Sequence, residues 1–412
     1  MYTRSPSMKG MDKVKLYKSA KEPEIYHYFN ANKEKLWMFR HKYYDATGKR
    51  REKKKSGFKT EKAALKALLE VKAATLRGEK RYVENDQMTV GEWLDTWYET
   101  NKGKWKKGTQ VQREIIVRVH LKPLLGHYKL QKLDKQTYQR MFINALVGEY
   151  QASTIRAWHT IFKIAVNAAV EEEILNRNRF TKVTIPTESQ KKKEAANFLT
   201  PTELVTFLEN AKQHENITHY TFFLTIAYTG IRRGEALGLQ WKNIDFQNNT
   251  ITIERTRDVI GIHTPKTTNS YRTILVDEAI MKQLETYLKW CKIALFKNGR
   301  KLQEDLSKDD SFVFIFEHAA DPIAPTSPIY AFKKILDRTG LPKTTIHGLR
   351  HTHCTILLNR GLNVKVIAER LGNTPKMIMD VYGHVLKELE AESVSLFSQT
   401  LQASGAKTGA NQ

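Results

Sequence analysis

His347 to Leu358 reads HGLRHTHCTILL, and it sets three histidines and an arginine into seven residues of a segment with the apolar content of a buried helix. The whole chain has only 13 histidines, so the clustering asks for a chemical reason. Metal binding, phosphate binding and plain packing are the three candidates. On a helix turning about 100° per residue, His347 and Arg350 lie about 60° apart. His351 and Cys354 fall on the same broad side, and Leu349, Ile356 and Leu357 cover the other. A helical zinc motif places a glutamate directly after the first of its two histidines. Here Gly348, Leu349 and Arg350 stand between His347 and His351, and Arg350 would repel a divalent cation. Purely structural histidines stay open as a reading, but an anion-binding face accounts for the arginine as well.

The charge of the chain supplies a reason for such a face. A formal +24 and a pI near 9.7 over 412 residues point to a polyanionic partner, with nucleic acid ahead of an anionic membrane surface. Residues 1–85 hold 23 Lys and Arg against 10 Asp and Glu, a net of +13, so more than half the excess sits in a fifth of the sequence. No run of about 18 apolar residues and no apolar N-terminal core exists, which argues against a membrane span or a signal peptide and for the cytosol. Two cysteines, Cys291 and Cys354, are too few for a disulfide framework or a cysteine-built zinc site. No metal and no cofactor are expected.

The first fifth has the pattern of a folded module. Short aromatic-rich runs, EIYHYFN, KLWMFRHKYYD and RREKKKSGF, are separated by turn-like ANKE and ATGK, which predicts three small strands. Thr60 then caps TEKAALKALLEVKAATLRG, with Gly78 as the stop of one amphipathic helix. Cations interleaved with aromatics on strands suit contact with a DNA groove, and Arg40, Arg50, Arg51, Lys53, Lys54 and Lys55 are the candidate contacts. Beyond the polar EKRYVENDQ the pattern becomes helical. Thr89 and Glu92 form a capping box, and Lys104, Lys106, Lys107 and Arg113 cluster at one helix start, a second candidate DNA surface. QKKKEAAN, residues 190–197, reads as a linker.

The largest unit opens at LTPTELVTFLEN, where Thr200 caps, Pro201 takes the first helical position and Glu203 closes the box. In TFFLTIAYTGIRRGEALGLQW a buried helix stops at Thr229-Gly230 and restarts, which puts Arg232 at a helix N-terminus already favourable to anions. Strands are expected in TITIERTR, IGIHTPK, YRTILVD and FVFIF, with helices in DEAIMKQLETYLKWCKIAL and SPIYAFKKILDRTG. Lys266 lies at the tip between two of those strands. LGNTPKMIMDVYGHV starts a helix at Thr374-Pro375 and ends in an isolated Tyr382, a candidate nucleophile beside two arginines, a lysine and a histidine.

Taken together, TGIRRGEALGLQW, TPKTTNSYRTI, HGLRHTHCTILL and LGN followed by VYGHV resemble the tyrosine recombinases, specifically the integrases of phages and integrative conjugative elements of Gram-positive bacteria. The resemblance covers nearly the whole chain. It implies a multidomain α+β protein: an arm-type DNA-binding domain of three strands and a helix at 1–85, ordered over about 24–80; a helical, SAM-like core-binding domain at 86–190; a mixed, mainly α catalytic domain at 196–388; and a C-terminal helix with a polar tail at 389–412. It also implies that Tyr382 attacks a scissile DNA phosphate, that Arg232 and Arg350 clamp its oxygens, and that His347 handles the tyrosine proton. Lys266 would protonate the departing 5′ oxygen, Glu235 would orient the site, and Asn373 would stand where the family usually has histidine. An amide can still donate to a phosphate oxygen. The implied partners are double-stranded DNA at core and arm sites, three further copies of the chain in a tetramer on DNA, an excisionase and a host DNA-bending factor, all on the bacterial nucleoid. A type IB topoisomerase, a non-catalytic DNA-binding regulator and a metal-dependent nuclease are the alternatives. In the tail, Val394, Leu396, Phe397 and Leu401 give a short helix an apolar side, to pack on its own domain or on a neighbouring subunit.

Overall fold

The computed structural model describes residues 15–45, 48–186, 197–265 and 268–381, together with Phe397 and Gln399. The chain forms two compact units, Met1–Ser189 and Gln190–Gln412. Among the described residues no helix is long and apolar enough to cross a membrane.

The first unit begins with an antiparallel sheet whose strands follow one another in chain order: Tyr17–Lys18, Ile25–Phe29, Lys35–Tyr44 and Arg50–Phe58. The three expected strands are present. The short fourth, at the edge, pairs Tyr17 with His27 and Lys18 with Tyr26; two residues carry no periodicity by which a sequence could announce them. Helix Glu61–Leu76 is capped by Thr60, whose hydroxyl accepts from the Ala63 N–H. It buries Ala64 and Leu68 against Ile25 and Phe39. Gly78, at φ +80°, lies just past its end as the sequence predicts.

The rest of this unit is helical. Thr89 and Glu92 form the full reciprocal box at the head of Val90–Asn101. Its Trp93 and Trp97 pack into an aromatic core with Tyr138, Phe142, Phe162 and Phe180. Lys107–Ile115 runs through a π-helical turn, Ile116–Leu121, into Lys122–Leu125. The long helix Ala152–Glu171 closes the core.

In the second unit, Thr200, Pro201 and Glu203 start Pro201–His214 as read from the sequence. Helix Ile217–Thr229 is buried almost all round, and Phe222, Phe223, Trp241, Tyr287 and Phe314 centre the core. A three-stranded sheet takes the order Ile244–Asp245, Thr250–Ile253, Arg272–Leu275. A separate hairpin pairs Thr256–Asp258 with Gly261–His263. The FVFIF segment is not a strand. Its Val313, Phe314 and Ile315 are buried, but it makes only isolated bridges, Gln240 with Phe312 and Ile315 with Pro322, and the Val313 N–H donates to the Leu239 carbonyl of a loop. Helices Glu278–Lys297, Ser327–Thr339, Ile346–Asn359 and Val364–Leu371 follow, and a last helical run covers 375–381.

The sheet-and-helix module rests on few buried side chains, so one large truncation exceeds what a core of that size can absorb. Phe39→Ala costs about 3–5 kcal/mol. It is expected to erase amide-exchange protection from Ile25 through Leu76 while leaving the Pro201–His214 and Ile346–Asn359 helices protected as before.

Candidate active site

The site is assembled on a turn. Val364–Leu371 ends at Gly372, whose φ of +63° sets it in the left-handed region. A Cβ there would come within 2.8 Å of the Arg272 guanidinium and of the Asn269 carbonyl, so the position needs glycine for both conformation and space. The groups exposed by this turn are acceptors. Arg350 donates from Nη2 to the Leu371 carbonyl at 2.7 Å. Arg232 donates from Nη2 to the Gly372 carbonyl at 3.2 Å and to Asn373 Oδ1 at 2.7 Å. Three consecutive residues thus hold both arginines.

Each arginine has a second anchor. Arg350 also donates to the Gly230 carbonyl at 2.8 Å. Gly230 has φ +67°, and a Cβ there would collide with Leu371 and His353. Arg232 caps the short helix Arg233–Leu237, and its backbone N–H and Nη1 both donate to the buried Glu235 carboxylate, at 2.9 and 2.7 Å. Arg350 is 3 % exposed, whereas the Arg232 side chain keeps 33 % of its surface open. One guanidinium is therefore structural on most sides, and the other reaches the surface.

His347 stands one turn before Arg350 on Ile346–Asn359, a helix begun by the Thr345 hydroxyl accepting from Gly348 N–H. Burial, then the neighbouring His351, Arg350 and Arg232, push its imidazole down to about 4, against the opposing pull of Glu235. The residue still meets solvent, so the site presents a neutral, accessible imidazole. The His347 and His351 rings meet edge to face at 4.8 Å. A cavity of about 970 Å³ opens beside Arg232 and His347, floored by Phe332 and Leu336 and edged by Lys333 and Lys343. A smaller one, about 340 Å³, lies between Arg232, Glu235, Pro265, Asn269 and Asn373.

The helix is less two-sided than its sequence suggests. Arg350, Thr352, His353, Cys354 and Thr355 are all buried, because Ile217–Thr229 and Val364–Leu371 both pack on it. His353, given no role from the sequence, faces Ile217–Thr229: its Nδ1 donates to the Ala227 carbonyl, and its Nε2 accepts from Arg370 Nε at 3.1 Å. Burial and Arg370 hold it to about 4. Arg272 is also absent from the sequence reading, although it lies inside the quoted TPKTTNSYRTI. It donates to Glu235 Oε2 at 2.9 Å with a side chain only 7 % exposed. Tyr382 and Lys266, and the tail residues Val394, Leu396 and Leu401, lie outside the described residues; of that tail set only Phe397 is described, and it is exposed.

The candidate DNA contacts of the first unit divide by face. Register pairs Lys53 with His41 and Lys55 with Phe39, on the helix side of the sheet, while Lys54 pairs with Arg40 and Arg50 with Tyr44, on the open side. Lys53 is not available as a surface cation: its ammonium donates to the Val83 carbonyl and to Asp86. Arg51 is paired with Asp45, and Arg40 with Glu52 through two bonds. Arg50, Lys54, Lys55, Lys104, Lys106 and Lys107 are exposed. Arg113 lies over the Trp105 ring at 4.1 Å and the Trp97 ring at 5.7 Å, a cation held by aromatic faces.

A basic chain with a small strand-and-helix module, a helical module and an arginine-lined catalytic unit defines a DNA-processing enzyme. The family models agree in the same order: residues 26–75 match the Arm DNA-binding domain, 89–147 the phage integrase N-terminal SAM-like domain, and 197–388 the phage integrase family. The chain belongs to the phage integrase family of tyrosine recombinases, enzymes that break and rejoin DNA strands. It is 27 % identical over 330 residues, 76 % of this chain and 83 % of the relative, to a tyrosine recombinase XerC-like protein of Caldanaerobacter subterraneus subsp. tengcongensis. The Tn1549 transposon integrase in complex with a circular intermediate DNA superposes with a TM-score of 0.62 at 22 % identity, over 75 % of this chain and 99 % of that one. A lambda integrase tetramer bound to a Holliday junction gives 0.54 at 16 %, over 86 % and 97 %.

His347 and His353 set a sign for pH. Their unfolded forms protonate near 6.5, while the folded forms resist protonation down to about 4. Between those values the unfolded chain carries more protons, so folded stability falls as pH drops through that window. Denaturant unfolding at pH 6.5, 5.5 and 4.5 is expected to show the decline, and His353→Gln is expected to flatten its slope.

Proposed function

We propose that the chain is a site-specific integrase that inserts and excises a mobile element by way of a 3′-phosphotyrosyl intermediate. The observation that carries this reading is the convergence of Arg232 and Arg350 on the turn Leu371–Asn373, ten residues or so ahead of Tyr382. Two planar guanidiniums fixed relative to one another suit the non-bridging oxygens of one phosphodiester. Phosphoryl transfer is governed by such positioning and charge.

In this reading the Tyr382 hydroxyl oxygen attacks phosphorus and the P–O5′ bond breaks. The strand stays on the protein as a tyrosyl ester, and Lys266 gives its proton to the leaving 5′ oxygen. The tyrosine proton goes to His347, which is neutral and open to accept it. A bound phosphodiester opposes the surrounding cations and so raises the basicity of that ring. Asn373 accepts from Arg232 through Oδ1, which leaves its Nδ2 to donate to a phosphate oxygen. Attack by the 5′ hydroxyl of a second strand reverses each step, so the phosphodiester is conserved without ATP. The positive charge of these side chains stabilises the developing anion without a divalent ion.

Double-stranded DNA at a core site is the substrate. The open side of the first sheet, with Arg50 and Lys54, reads separate arm sites, and Lys106 and Lys107 contact core DNA. Exchange between two duplexes calls for four copies of the chain, with an excisionase and a host DNA-bending factor setting direction on the bacterial nucleoid.

The test is a core substrate nicked near the cleavage point, so that the short 5′ fragment diffuses away and the adduct is trapped. Wild-type protein is expected to give a covalent band on a denaturing gel, in EDTA as well as in magnesium. Tyr382→Phe is expected to bind DNA normally and give none. Arg232→Ala is expected to slow adduct formation by about 100-fold or more. Adducts formed by Tyr382→Phe at the wild-type rate would end the reading, and dependence on magnesium would favour a metal-dependent nuclease.

A further inference from the structure

The Arg272 side chain is nearly buried, and its guanidinium is spent on hydrogen bonds to the protein itself. Its Nη2 donates to Glu235 Oε2 at 2.9 Å, and its Nη1 leans on Oε1 at 3.4 Å. Nη1 also donates to the Ser270 carbonyl at 3.0 Å, and Nε donates to the Arg370 carbonyl at 2.7 Å. These bonds join the loop that follows residue 266, the strand Arg272–Leu275, the end of Val364–Leu371 and the Glu235 carboxylate. Gly372 packs directly on the guanidinium, which places Arg272 beneath the turn that holds Arg232.

Charge explains why such a residue is needed. Glu235 is 3 % exposed, and a carboxylate that deep keeps its charge only when cations and donors surround it. With Arg232 alone, the two would form a neutral pair, and Arg232 would be drawn onto its own carboxylate rather than a phosphate. Arg272 shares the same carboxylate, so the triad carries a net positive charge and Arg232 keeps a field for an anion. Both Glu235 oxygens are also fixed by Arg272, and Oε2 in turn fixes the Arg232 backbone N–H at 2.9 Å.

We propose that Arg272 is a positioning residue for the phosphate clamp: through Glu235 it sets the orientation of Arg232 and keeps the clamp cationic, without contacting the DNA. This rests on the recombinase reading above, in which Arg232 meets the scissile phosphate. The role is one of charge sharing, so it is tied to the anionic oxygen that the clamp neutralises. A substrate with a methylphosphonate at the scissile position lacks that charge and has less need of the clamp.

The experiment uses the full chain and single-turnover adduct formation on nicked core DNA, with Arg272→Met and Arg272→Lys. On the normal phosphodiester, Arg272→Met is expected to slow adduct formation by about 100-fold, with DNA affinity changed by no more than about 2-fold. Arg272→Lys, which restores the charge without the fork, is expected to recover part of the rate. On the methylphosphonate, the gap between wild type and Arg272→Met is expected to shrink by about 10-fold or more, because the lost charge is no longer required. A crystal structure of Arg272→Met is expected to show Arg232 turned from Gly372 and Asn373 towards Glu235, a readout independent of catalysis. The proposal is overturned if Arg272→Met cleaves the phosphodiester like wild type, or if it loses the same factor on both substrates, as a general fold defect would give. Tyr382→Phe in the same assay keeps the two readings apart: adducts that persist there overturn the recombinase reading, whereas adducts lost there but undiminished in Arg272→Met overturn this one alone.

Discussion

Like charges repel, and this site brings guanidiniums together before any anion has arrived. What permits it is the manner of anchoring. Arg232, Arg272, Arg350 and Arg370 all donate to backbone carbonyls: Gly372; Arg370 and Ser270; Gly230 and Leu371; Leu275 and Tyr228. A carbonyl dipole satisfies an N–H without cancelling its charge. Glu235 is the carboxylate set among them, and it is divided between two arginines. The arrangement therefore keeps its positive potential while meeting the hydrogen-bonding demand of buried groups.

That anchoring dictates the backbone around it. Carbonyls aim inward at Gly230 and at Leu371–Gly372 because two glycines end helices in the left-handed conformation, and a side chain at either position would strike a neighbour. The same two turns face each other across Ile346–Asn359, where Arg350 spans from Gly230 to Leu371. His353, on the next turn, does likewise between Ala227 and Arg370. One buried helix thus cross-links two helix ends, and the outer arginine, Arg232, inherits its position from them.

Much of this was legible because local chemistry decided it. Thr60, Thr89 and Thr200 announce helix starts through caps whose bonds form within four residues, and the structure contains them. The motifs around Arg232, Arg350 and Asn373 mark segments that do meet, although Arg232 lies 141 residues from Asn373 along the chain. What stayed hidden depended on distant partners. FVFIF has the composition of a strand, but a strand needs a neighbour, and here the backbone donors go to loop carbonyls and to the Tyr287 hydroxyl. Lys53 looks equal to Lys54 in sequence, yet register sets Lys53 opposite His41 and Lys54 opposite Arg40, on opposite faces of the sheet, and turns one to Asp86 and the other to solvent. Arg272 differs from any exposed strand arginine only because Glu235 and the Arg370 carbonyl lie beside it, 37 and 98 residues away along the chain.

The state of His347 follows from the same electrostatics. A histidine placed to serve as a base near neutrality normally gains from a carboxylate partner that raises its affinity for a proton. Here burial and three neighbouring rings and guanidiniums lower it, and Glu235 opposes them only weakly. Without DNA the ring is neutral, so it adds no further positive charge to a crowded cationic site. In the proposed reading an arriving phosphodiester offsets part of the surrounding positive charge, and the proton affinity of His347 rises with it. Where His347 takes the tyrosine proton, as in that reading, the ring is a stronger base when the phosphodiester is in place, and proton acceptance is tied to substrate binding through charge alone.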